Sequence, residues 1–209
     1  MMKEFLLALL LFLTSITVYS QRFHGGLLAG FSASQVDGDS YAGYNKAGLQ
    51  GGVFISTELT SRIDARLEIK YTSRGARNPA SRDNTGAYKL ALHYIDLPVL
   101  LSVGIKQLGA IELGLVPGYL FNAGGEDDAG KLPREYLVVF RKFDLGTLLG
   151  IAINITPKLA FNMRYSYSVF SIRDQESPSA GYSWFGKLIG HTNGDFNNYL
   201  TFGVNYQLK

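Results

Sequence analysis

The sequence predicts an all-β protein, an eight-stranded antiparallel up-and-down transmembrane β-barrel. Three observations carry that expectation. Strand-length stretches alternate apolar and polar residues, so each presents one greasy face and one polar face. The last stretch is the clearest, with Leu200, Phe202, Val204, Tyr206 and Leu208 against Thr201, Gly203, Asn205 and Gln207. The connections alternate between tight turns and long polar loops, as in outer-membrane barrels. Beyond the N-terminal segment, no apolar run approaches the roughly 20 residues of a membrane-spanning helix.

Residues 1–20 read as a cleaved secretory signal peptide. Met1-Met2-Lys3-Glu4 gives a short basic start, the apolar run begins at Phe5, and Val18-Tyr19-Ser20-Gln21 offers a cut after Ser20. The junction has no cysteine, which removes a lipoprotein anchor. Residues 21–209 are then expected to form one exported outer-membrane barrel domain that holds together without disulfides.

Eight strand candidates follow, at residues 22–35, 47–59, 63–74, 88–105, 110–123, 136–155, 159–172 and 198–209. Each reaches the roughly 9–11 residues of a tilted crossing. The turns at 60–62, 106–109 and 156–158 are tight, whereas 36–46, 75–87, 124–135 and 173–197 are long and polar. In the third candidate Ile63, Ala65, Leu67, Ile69 and Tyr71 oppose Asp64, Arg66, Glu68, Lys70 and Thr72. In the fifth, Ile111, Leu113, Leu115, Tyr119 and Phe121 oppose Glu112, Gly114, Gly118 and Asn122. The sixth sets Leu145, Leu149, Ile151, Ile153 and Ile155 against Asp144, Gly146, Gly150, Ala152 and Asn154. The seventh sets Leu159, Phe161, Met163, Tyr165, Tyr167 and Val169 against Ala160, Asn162, Arg164, Ser166 and Ser168.

Alternation alone also suits a secreted, soluble, lipocalin-like barrel with its apolar faces inward, around a small apolar ligand. Two details favour lipid. The polar faces are rich in glycine and small residues, as a narrow lumen requires. Tyr71, Tyr119 and Tyr167 stand near strand ends on the apolar faces, where an interfacial aromatic girdle would lie. The formal charge is +3, with basic residues interspersed among acidic ones, so nothing points to nucleic acid.

The stretches Glu68-Ile69-Lys70-Tyr71-Thr72-Ser73-Arg74-Gly75, Tyr94-Ile95-Asp96-Leu97-Pro98 and Gly114-Leu115-Val116-Pro117-Gly118-Tyr119 are followed by Asp144-Leu145-Gly146, Arg164-Tyr165-Ser166-Tyr167 and the final strand. In this order they resemble the PorT-like family of small outer-membrane β-barrels of Bacteroidetes-type bacteria. The resemblance implies an eight-stranded barrel in the outer membrane. For the family's named member it implies a part in protein secretion and surface attachment.

Eight charged residues fall on polar strand phases and are expected to form an interior charge network: Glu58, Asp64, Arg66, Glu68, Lys70, Glu112, Asp144 and Arg164. A lipid-facing Arg or Lys at the midplane costs roughly 2–4 kcal/mol. A barrel of this size has room only for side chains. Paired charges therefore suggest a plug; a narrow gated ion path is the sharper alternative.

No catalytic residue, cofactor or metal is expected, and His24, His93 and His191 lack metal-ligand spacing. A rim enzyme acting on lipid would draw on His191, Asp195, Ser177, Ser179 and Ser183. Gly124-Gly125-Glu126-Asp127-Asp128 reads as an acidic turn rather than a calcium loop. Tyr182, Trp184 and Phe185 in the last long loop are candidate partner contacts. The expectation is a monomeric, non-enzymatic barrel among outer-membrane lipids. Its long loops would meet envelope or secretion-system proteins.

Overall fold

A strand that is apolar on one side and polar on the other can cross a membrane only if its edges are paired all the way round. The computed structural model shows how this chain meets that demand. It describes residues 22–39, 41, 43–79, 86–105, 108–173 and 194–208. The expected signal peptide and Tyr182, Trp184, Phe185, His191 and the three rim serines lie outside the described residues.

The strands are β1 (Phe23–Asp37), β2 (Lys46–Thr60), β3 (Ile63–Arg74), β4 (Arg77–Asn78), β5 (Tyr88–Asp96), β6 (Val99–Ile105), β7 (Gly109–Asp127) and β8 (Gly130–Lys131). A short helix α1 (Arg134–Val138) follows, then β9 (Phe143–Asn154), β10 (Leu159–Ser168) and β11 (Phe196–Gln207). Eight staves close the barrel: β1, β2, β3, β5 with β6 as one interrupted stave, β7, β9, β10 and β11. Each pairs antiparallel with its sequence neighbours, and β11 returns to β1 from Gly26↔Gln207 to Asp37↔Phe196. The final strand therefore closes the barrel against the first.

The fourth stave breaks at Leu97-Pro98, because proline has no amide hydrogen to give the ladder. Neighbouring groups bridge the gap: Leu97 N donates to Pro117 O at 2.8 Å, and Glu68 N donates to Pro98 O at 2.9 Å. The outer surface carries the apolar faces. Ile69 is 52% exposed, Leu113 51% and Ile153 49%. This arrangement suits lipid and removes the soluble alternative, whose apolar faces would point inward.

Four details depart from the sequence reading. The stretch 136–155 is a strand only from Phe143, because Pro133 opens a helical turn, with Tyr136 N donating to its carbonyl at 3.1 Å. The run Leu137-Val138-Val139-Phe140 is β-like in composition, but Leu137, Val139 and Phe140 pack on an internal apolar cluster instead. Asn122 is exposed, because a bulge pairs His93 with Asn122 and Tyr94 with Leu120, inserting Phe121 and flipping the phase. Tyr167 is 1% exposed and stacks on Phe196 at 5.9 Å, so it is no girdle residue. Tyr71 and Tyr119 do lie on the outside, with Tyr71 against His93 and Tyr119 against Phe143.

β7 is 19 residues long. At about 3.3 Å per residue it far exceeds a tilted bilayer crossing. The β5–β7 pair therefore rises beyond the membrane on the long-loop side. Inside this extension Val36, Ala76, Leu90, Leu92, Tyr94, Leu120, Phe140 and Ile172 form an apolar cap over the lumen.

Candidate functional site: the ion-paired lumen

Period-two alternation brings Glu68 of β3, Glu112 of β7 and Arg164 of β10 into the lumen from three separate staves. Arg164 binds both acids at once. Its Nη1 and Nη2 donate to Glu68 at 2.8 and 2.9 Å, and its Nε and Nη2 donate to Glu112 at 2.7 and 3.0 Å. The planar guanidinium fork suits this double bidentate arrangement, which a lysine could not reproduce. Space for it comes partly from the facing residue: a Cβ on Gly150 would lie 2.7 Å from Arg164 Cγ. Arg66 adds a 3.3 Å contact to Glu112 and lies over the Phe54 ring. Lys70 stands 3.9 Å from Glu68 and donates to Gln50 at 3.1 Å.

A second group lies nearer the long-loop end. Arg74 is held by Asp96 and by Asp144, the latter at 3.0 Å. Its guanidinium is sandwiched between Tyr94 and Tyr199, at 4.2 and 4.4 Å from the ring centroids. Asp144 Oδ2 also accepts from Ser168 Oγ at 3.0 Å and Asn197 Nδ2 at 2.9 Å. Between the two groups Leu100, Val116 and Leu148 form an apolar wall on the β6–β7–β9 side.

The lower group has three cations and two carboxylates, and the upper has one cation and two carboxylates. Neither is neutral alone, but together their four cations and four carboxylates balance. Burying charge is tolerable only with such pairing.

Of the eight sequence-chosen residues, Arg66, Glu68, Lys70, Glu112 and Arg164 meet in the lower group, and Asp144 sits in the upper. Glu58 and Asp64 are a correction. Among the described residues they form no ion pair with either group, because they sit beside the 60–62 turn at the short-turn mouth, where Glu58 is exposed; Asp64 is still attracted by Arg66 of the lower group. Polar phase tells which face a residue takes but not its height in the barrel.

Sequence reasoning missed Arg74 and Asp96, although both share the polar phase of their strands and stand in the stretches Glu68 to Gly75 and Tyr94 to Pro98. Extending the Glu68–Lys70–Thr72 alternation by one step would have found Arg74. Of the rim-enzyme set, Asp195 alone is described, and it is bound by Arg173 Nε at 2.9 Å. The stretch expected as an acidic turn is mostly strand, since Gly124 to Asp127 end β7 and only Asp128 lies in the turn to β8; Asp127 accepts from Ala129 N and Asp128 from Ala87 N, both at 2.9 Å, so these carboxylates cap backbone.

The family described as outer membrane protein beta-barrel domain matches residues 19–174. Among solved structures, Ail, the attachment invasion locus protein of Yersinia pestis, is similar with a TM-score of 0.50 and 16% identity, covering 88% of this chain and 98% of Ail. Neisserial surface protein A is similar with a TM-score of 0.50 and 14% identity, covering 89% of this chain and 97% of its own. At such identities the likeness shows the fold. None of the curated proteins compared with the chain matches it. The chain belongs to the outer membrane protein β-barrel domain family.

Proposed function

We propose that this outer-membrane barrel is a closed, non-enzymatic scaffold that serves envelope assembly or secretion and presents its long-loop end to a partner. One observation carries the reading: the Arg164 guanidinium ties β3, β7 and β10 together across the lumen. The apolar cap around Leu92 and Phe140 lies above it. A hydrated ion would have to break four charge-assisted hydrogen bonds and then cross a dry layer. Purified protein in planar bilayers is expected to give no steady conductance; a steady open level would overturn the closed-scaffold reading.

The resemblance to the PorT-like family supports a part in secretion or assembly. The barrel works as a monomer, needs no cofactor and has lipid as its surroundings. Ail, an attachment invasion locus protein, has also been solved in complex with the heparin analogue sucrose octasulfate. That precedent supports surface binding as the kind of task such loops take on. Trp184→Ala combined with Phe185→Ala is expected to weaken partner recovery in pull-downs from native envelopes while leaving insertion intact. An unchanged pull-down profile would sink the assignment of those aromatics.

A further inference from the structure

The short-turn mouth holds a row of polar residues that the ion-paired lumen does not use. Glu58 faces Asp64 across β2 and β3, Asp64 faces Ser102 across β3 and β6, and Ser102 faces Glu112 across β6 and β7. Like charges directly opposite on neighbouring strands repel. Among the described residues neither Glu58 nor Asp64 has an ion-pair partner, while Glu112 is already taken by Arg66 and Arg164. The cavity lining holds two cations, Arg62 on the turn and Arg66, which attracts Asp64 as well as Glu112; against them stand the three carboxylates Glu58, Asp64 and Glu112, so the lining keeps an excess of one negative charge.

A cavity of about 310 Å³ opens here, with Ser102 in its lining. Ser102 is 4% exposed, and its hydroxyl has no hydrogen-bond partner among the described residues. A buried hydroxyl without a partner is costly and points to a missing one. Opposite the acids the wall is small and apolar, made by Ala110, Ala152 and Ala160. The Arg66–Glu112 pair lies in the lining and separates the cavity from the rest of the lower charge group.

We propose that this mouth is a binding site for a primary alkylammonium group, entering from the short-turn side. The ammonium has three donors, matching Glu58, Asp64 and the Ser102 hydroxyl, and its carbon chain lies over the alanines. A divalent ion fits less well. Calcium takes about 6–8 oxygens, and among the described residues no three acidic or histidine side chains come close enough to hold a metal. The cavity is also far larger than a bare ion needs.

The ammonium could belong to a free diamine or to a lysine side chain of a periplasmic protein, and titration calorimetry of the full barrel in detergent separates these. The probes are 1,5-diaminopentane, the peptide acetyl-Gly-Lys-Gly-amide, and uncharged 1,5-pentanediol as control. Both amines are expected to bind and the diol not. Tighter binding of the peptide assigns the lysine source, and tighter binding of the diamine the free amine. Glu58→Gln with Asp64→Asn should weaken binding at least tenfold, and Ser102→Ala by several-fold. Unchanged heat-modifiable gel mobility would show these variants folded. Asp39→Asn, at the opposite rim, should bind as the parent does. Equal binding of the diol, unchanged affinity in the double variant, or no amine binding at all would overturn the proposal.

Discussion

The membrane-spanning part of the barrel and the extension above it are built from the same strands but have opposite interiors. Low on β7, Glu112 points in and Leu113 points out. High on its partner β5, Leu90 and Leu92 point in while Lys89 is exposed. The backbone is alike in both, so the medium touching the outer face makes the difference. Where lipid surrounds the barrel, apolar residues gain nothing by turning inward and charges must, so polar pairs hold the centre. Where water surrounds it, burial of apolar surface resumes its usual direction. Eight staves thus enclose an inside-out lower core and an ordinary upper one.

That contrast can be broken most forcefully at its two centres. Arg164→Ala strands Glu68 and Glu112 without their shared cation, and losing one partner of a buried network costs about 3–5 kcal/mol. The whole barrel should lose stability, read as a lower urea midpoint for the folded band on cold gels. Leu92→Ala removes comparable burial in the cap. It should instead expose the extension to protease while the membrane-embedded part keeps its gel mobility. If Arg164→Ala acted only locally, the lower network would not be the girder of the barrel.

A sharper and smaller test concerns the outer faces. Leu113→Arg places a guanidinium against lipid and should cost about 2–4 kcal/mol. Glu126→Arg, exposed on the outer face of the extension opposite Lys89, should change stability by less than about 0.5 kcal/mol. Urea titrations in lipid bilayers would measure both. Equal costs would place the extension inside the membrane.

The smallest effect is expected at the rim. Asp39, in the connection between β1 and β2, has its carboxyl pushed up to about 7, chiefly by burial; Asp195 and Asp37 add to the rise. The Tyr41 amide, donating to Asp39 at 2.9 Å, and Arg173 oppose it. A raised carboxyl keeps its proton in the folded state longer than in the unfolded one. Its stabilising contribution is therefore complete below the ordinary carboxylate range and disappears as pH rises through about 7. The urea midpoint of the folded protein should fall slightly across that window. In Asp39→Asn, which has no carboxyl to ionise, that part of the fall should vanish.

Much of the architecture was legible because it is local. The final strand, Ile63–Arg74 and the Glu112–Leu113 alternation each announce their faces within a few residues, and the turn at 156–158 announces the hairpin it closes. The candidate site was legible only by face. Glu58 shares the phase of the buried charges yet lies at the mouth, and Arg74 shares it too but was not carried along. Phe140 and Leu137 look like strand residues until the cap that needs them is present.

The sequence by itself determined the period of each strand, the division into greasy and polar faces and the up-and-down order, because side-chain direction in a strand depends only on the residue's own position. The tertiary structure decided the rest. It set the height at which each charge sits, joined Arg164 to Glu68 and Glu112 from residues 96 and 52 positions away, and inverted the core above the membrane. Those outcomes depend on the register in which eight staves close and on the medium outside each part of the wall, and no single stretch of chain contains either.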